Sequence, residues 1–249
     1  MIRHDELSAT CSQLLTQLRE LRADWLGDVG LPELADICNP FLLMGRPAVS
    51  APQLVALLLD DLLDASEEEW ASQLLMALAA RVVWLSSGGR RSTILGNALE
   101  FERNGQEYLV VVESGLARNR HAKWPVMANL VAAAAARNTV PVLGVCCGES
   151  TCANAGNCQF AVGEEFWHLI ANRGGLYAQF VEPFALAAFR HDGDFYQRKA
   201  GLENRLAWEF MNAFCFPDGA IAWPRVVAFK SGSLAPATPP ACPAPAHMG

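Results

Sequence analysis

Apolar positions recur at spacings of three and four through the first third of the chain. Between Glu6 and Trp25 they fall on Leu14, Leu15, Leu18, Leu21 and Trp25 with charges between them, which predicts an amphipathic helix. A turn at "GDVGLPE" leads into a short helical stretch reaching "NPFLLMGRP". "SAPQLVALLLDDLLDAS" then reads as a strongly apolar helix capped by Ser50, and "SEEEWASQLLMALAARVVWL" as a second helix opened by a capping box of Ser66 and Glu69. The paired glycines of "SSGGRRSTILGN" end the helical pattern in a polar loop. After it the period changes to two. "ALEFER" and "EYLVVVES" are strands around Asn104-Gly105, the dipeptide that best tolerates the positive φ angles of a tight hairpin turn.

Further on, "KWPVMANLVAAAAARN" predicts a helix with Pro125 in its first turn, where the missing N–H does no harm. "TVPVLGVCC" is a short apolar strand suited to the centre of a sheet, and the stretch from Gly163 to Cys215 reads as two or three helices. From Ser231 the composition collapses into Pro, Ala and Ser, which give no apolar face and predict a disordered tail. The order of elements predicts an α/β protein: a mixed sheet flanked by helices, with a helical N-terminal portion. The expected divisions are a helical portion packed on the core over 1–87, an α/β core with C-terminal helices over 88–230, and the tail over 231–249.

The hairpin carries an unusual load of acid. A two-residue Asn104-Gly105 loop pairs Arg103 with Gln106, Glu102 with Glu107, Phe101 with Tyr108 and Glu100 with Leu109. Side chains alternate along a strand, so Ala98, Glu100 and Glu102 share a face with Leu109, Val111 and Glu113. Clustered carboxylates repel unless a cation sits among them, and Mg²⁺ or Mn²⁺ is the usual one. The plainer alternative makes Glu100 and Glu102 the solvent side of an edge strand. Glu113 stands where a buried strand emerges into a turn, a common address for functional residues in α/β proteins and equally an ordinary strand end.

Composition narrows the function classes. Of 249 residues 52% are hydrophobic, enough for a substantial core. No run of about 18 apolar residues and no signal-peptide pattern appear, which points to neither membrane nor export and makes the cytoplasm the expected compartment. A formal charge of −7, from 19 Lys and Arg against 26 Asp and Glu, excludes a uniformly basic nucleic-acid binder but allows a local basic patch.

The order of blocks resembles a family of type II restriction endonucleases, whose members with assigned sites cut GGNCC sequences. The resemblance runs from about Asn39 to Gly232. It is carried by "NPFLL", an apolar helix ending in "SEE", the "G..LEFE..G..YLV...SG" hairpin, a strand into "GVCCG", then "EEFWHLI", "LYAQFVEPF" and "WEFMNAFC...DGAIAWPRVVAFKSG". It implies a restriction-endonuclease-like core of the PD-(D/E)xK kind, in which a homodimer acts on double-stranded DNA in restriction-modification and Mg²⁺ activates water against a phosphodiester. In that design an aspartate on the first hairpin strand and an acid on the second hold the metal, and a lysine two residues on stabilises developing charge. This chain departs from the pattern. The aspartate position falls on Ala98 in "GNALEF", the second acid on Val111, and the lysine on Glu113 in "VVVESG".

Three readings of that departure stand side by side. The site is rearranged, with Glu100, Glu102 and Glu113 as metal ligands and Glu100, Glu113 and Lys123 as the catalytic groups. Or the fold and DNA binding are kept without cleavage. Or the register is shifted by a residue or two. The basic residues Arg90, Arg91, Arg118, Arg120 and His121 flank the hairpin and, with the resemblance, are the expected DNA contacts; alone they would read as solvated loops. Cys146, Cys147, Cys152 and Cys158 lie within thirteen residues and offer a Zn²⁺ site, or a zinc-stabilised module unrelated to nucleases. Their spacing is not the paired C-x₂-C arrangement, however, and the double cysteine fits a packing role. His168 reads as a helix residue near the core, and Trp167, Trp208 and Trp223 as core aromatics.

Overall fold

The computed structural model describes residues 3–45, 50–115, 124–148, 157–180, 183–184 and 193–233. They form two compact units, one made of residues 1–19 and 69–190 and the other of 20–68 and 191–249. In chain order the helices and strands are α1 (His4–Asp28), α2 (Leu31–Ile37), α3 (Pro40–Met44), α4 (Ala51–Ser87), β1 (Arg90–Arg91), β2 (Ala98–Arg103), β3 (Gln106–Glu113), α5 (Trp124–Ala135), β4 (Val140–Val145), β5 (Gln159–Val162), α6 (Glu164–Ala171), α7 (Leu176–Gln179), α8 (Gly193–Phe214) and α9 (Trp223–Lys230). The architecture is the expected one: a mixed five-stranded sheet with flanking helices and a helical N-terminal portion.

The two helices predicted after Pro47 are one helix of 37 residues. Ser50 does open it, with its Oγ accepting from the Gln53 N–H at 3.4 Å and the Gln53 Oε1 accepting from the Ser50 N–H at 3.0 Å. Ser66 does not cap a second start. Its hydroxyl donates to the Leu62 carbonyl at 2.9 Å, the i−4 bond a serine makes inside a continuing helix. No Gly or Pro interrupts the residues around it, so nothing forces a break.

The unit of residues 20–68 and 191–249 is helical. Lys230 at the end of α9 donates to the carbonyls of Asp36 and Cys38, and Arg205 of α8 donates to the Val29 carbonyl at 3.2 Å. Lys199 pairs with Asp60 at 2.6 Å and Arg22 with Glu67 at 2.8 Å. Phe210, Phe214 and Phe229 meet edge to face, tying α8 to α9.

The other unit holds the sheet, in the order β1-β2-β3-β4-β5. The hairpin register is the expected one, with Glu100 opposite Leu109 and Glu102 opposite Glu107. Asn104 and Gly105 take φ of 53° and 75°, the paired positive angles of the predicted turn. α5 carries the chain across to β4, which runs parallel to β3 and lies between it and β5. Two strands are additions to the sequence reading. Arg90 and Arg91 form β1, paired antiparallel to Leu99 and Glu100, and Gln159–Val162 form β5.

One sheet face buries Leu99, Phe101, Val110, Val112 and Val142 against the start of α1, the later turns of α4, and Phe166, Trp167 and Ile170 of α6. The other face buries Ala98, Leu109, Val111 and Leu143 against Leu130 and Ala134 of α5. Trp167 is core as expected, its indole N–H donating to the Cys146 carbonyl at 2.8 Å; Trp208 and Trp223 are half-buried, and His168 is exposed on α6.

Candidate active site on the β2–β3 hairpin

The pleat puts Glu100, Glu102, Glu107 and Glu113 on the α5 face of the sheet, together with Ala98, Leu109 and Val111. Sharing a face does not bring them to one point. Glu100 lies opposite Leu109, and Glu113 is four residues further along β3, a separation of about 13 Å at the rise of a strand. Ala98 and Val111 stand directly opposite each other between them.

Glu100 is held by three partners. Arg90 reaches its Oε2 through Nε and Nη2 at 3.3 and 3.1 Å, while the Ser92 hydroxyl and Arg137 Nη1 reach its Oε1 at 2.7 and 2.8 Å. Burial alone would push this carboxyl up. The Ser92 and Arg90 hydrogen bonds and the charges of Arg137 and Arg90 outweigh that, and hold it below the usual carboxylate range. Two guanidinium groups thus supply the positive charge that the sequence reading assigned to a metal. Ser92 and Arg137 were not singled out from sequence: one lies in the polar loop, the other 37 residues from Glu100 at the end of an alanine-rich helix.

Glu102 is exposed and directly opposite the exposed Glu107. With Arg90, Glu100, Tyr108 and Arg137 they line an open groove of about 610 Å³. Glu113 is half-buried at the exit end of β3, in register with Val145 of β4. Beside it the Ser72 hydroxyl donates to Ser114 Oγ at 2.8 Å, and the Cys147 thiol donates to the Ser114 carbonyl at 2.9 Å. Among the described residues, no group of three or more His, Cys, Asp or Glu side chains is placed to hold a metal ion.

Arg90 and Arg91 lie exposed on β1 at the sheet edge, Arg90 engaged with Glu100. Arg118, Arg120, His121, Lys123 and Cys152 lie outside the described residues. The remaining cysteines diverge. Cys146 is buried on the α4 and α6 side of the sheet, Cys158 is buried on the α5 side, and Cys147 is exposed. Burial first, then the neighbouring Cys147 and Glu113, push the Cys146 thiol up to about 12.

A hairpin antiparallel at β2–β3 and parallel from β3 to β5, with α5 crossing one face and α4 and α6 covering the other, defines a restriction-endonuclease-like α/β core. The model of the type II restriction endonuclease EcoO109I family matches residues 5–192, and the chain belongs to that family. No curated protein matches the chain.

The family resemblance implies a divalent metal at the hairpin and places its two acid positions on residues 98 and 111. Ala98 and Val111 offer no oxygen ligand from their side chains, and they are 0% and 1% exposed. No helix among the described residues is long and apolar enough to cross a membrane.

Proposed function

We propose that this chain binds duplex DNA on the restriction-endonuclease fold and does not cut it by the family's hairpin metal chemistry. The observation carrying the second half is the Ala98–Val111 pair, two buried apolar side chains opposed on the hairpin, at the positions where we read the family's two acids. Family membership over residues 5–192 supports the first half. The contacts we assign to DNA are Arg90, Arg91, Arg118, Arg120 and His121, whose donors suit phosphate oxygens and guanine edges.

Binding is expected to be strongly salt-dependent, because each phosphate neutralised releases counterions. Fluorescence anisotropy with labelled duplex at rising salt measures this, and incubation of plasmid DNA with Mg²⁺ or Mn²⁺ measures cleavage. Salt-sensitive binding without cutting is the expected result; no binding at low salt would defeat the proposal.

A second reading keeps hydrolysis at a rearranged site. It draws on the place of Glu113, half-buried at the β3 exit and leading into the segment that holds Lys123. Metal-dependent cutting lost in Glu113→Ala would establish it in place of the non-cutting reading. We further propose a homodimer, supported by the exposed apolar side chains Ile37, Phe41, Leu42 and Met44 on and beside α3. Sedimentation of the wild type against Phe41→Ser/Leu42→Ser tests that surface, with a shift toward monomer expected.

A further inference from the structure

Metal chemistry at a hairpin needs oxygen ligands and also a watery approach to them, because Mg²⁺ keeps several of its waters when it binds. The first requirement fails here by residue type. The second fails by packing. Ala98 and Val111 are enclosed with Leu109, Leu130, Ala134, Leu143 and Cys158 in one apolar cluster. Leu130 and Ala134, both 0% exposed, are four residues apart and so lie on one face of α5, with Val126, Met127 and Val131 continuing the apolar stripe at its margins.

We infer that α5 has closed over the family's metal position, so that the Ala98–Val111 pair is now part of the contact docking this helix on the sheet. The inference rests on the reading of Ala98 and Val111 as the family's acid positions. Its consequence is that putting the expected residues back does not put the site back. A carboxylate at 98 or 111 would be buried against leucine and alanine, with neither water nor room for a hydrated cation. A merely degraded site, still open to solvent, would accept the same substitutions and recover its metal.

The decisive comparison uses the full chain carrying Ala98→Asp, Val111→Glu and Glu113→Lys together. The expected result is a melting temperature lower by about 10 °C or more, with no stoichiometric Mn²⁺ binding by electron paramagnetic resonance. A variant that melts like the wild type and takes up one Mn²⁺ per chain overturns the inference. Should the triple variant fail to fold, Val111→Thr decides. Its shape is nearly unchanged, and a hydroxyl placed in a closed apolar contact is expected to lower the melting temperature by about 4 °C. An unchanged melting temperature means that the position is open, and the inference falls. Duplex binding by the wild type is measured alongside: its loss would remove the proposed DNA function and leave this packing result standing.

Discussion

The two faces of the β2–β3 hairpin obey the same alternation but have different contents. Toward α4 and α6 every core position is apolar, and large rings fill the space beyond: Phe166 lies 5.0 Å from Trp167, and Trp167 4.5 Å from Phe180, centroid to centroid. Toward α5, apolar positions are mixed with four glutamates in three situations. Glu100 is clamped by two arginines and a serine, Glu102 and Glu107 face each other in solvent, and Glu113 stands at the exit of β3. An acid's face is fixed by its parity in the strand, whereas its chemistry is fixed by partners that parity does not choose.

Substitutions can break that contrast from the core side outward. The largest effect is expected at Phe166, fully buried against the sheet; Phe166→Ala should cost about 3–5 kcal/mol, read from chemical denaturation. Next is Gly144 of β4, whose added Cβ would lie 2.5 Å from the Phe166 ring and 3.0 Å from Val110. Gly144→Ala should cost about 1–3 kcal/mol, and combining it with Phe166→Leu should cost less than the sum, because the smaller side chain relieves the clash.

On the α5 face, Glu100→Gln should cost only about 1 kcal/mol, since Arg90 is 71% exposed and water screens that half of the clamp. The same pair of proteins gives a pH test. The Glu100 carboxyl is held below its ordinary value near 4.5 in the folded chain, so its contribution is fully present above that value. It is lost as the pH falls through the lower folded value. The stability difference between wild type and Glu100→Gln should therefore be constant near neutrality and shrink below about pH 4.5. The smallest effect has the opposite sign. Glu102→Gln removes a like-charge pair directly across the strands and should stabilise by a few tenths of a kcal/mol, visible as a slight rise in melting temperature at low salt.

The hairpin was legible from sequence because its signals are local: Asn104-Gly105 sets the turn and alternation sets the register. β4 was legible as a continuous apolar run. β1 and β5, of two and four residues, are too short to show a period, and they exist as strands through their neighbours. In sequence α4 looks like two helices because Ser66 and Glu69 imitate a helix start, and only the bond to Leu62 distinguishes a serine inside a helix from one that caps it. At the site, the common face of Glu100, Glu102 and Glu113 was legible and their separation was not. Arg137 meets Glu100, and Leu130 shares a buried cluster with Val111, by way of the crossover helix; no pattern near either strand announces a neighbour brought in that way.

The switch of β3 from an antiparallel to a parallel neighbour has a kinetic consequence. The β2–β3 pairing closes through two turn residues, on the microsecond scale of an isolated hairpin, whereas β4 can join β3 only after the chain has crossed over through α5. Docking α5 on the hairpin then belongs to the slower, long-range step, and Val111 takes part in both pairings as well as in the helix contact. Truncating Val111 should thus retard refolding more than it accelerates unfolding, the mark of a side chain already engaged in the transition state. A position that elsewhere in the family is expected to serve chemistry would here help set the order of assembly.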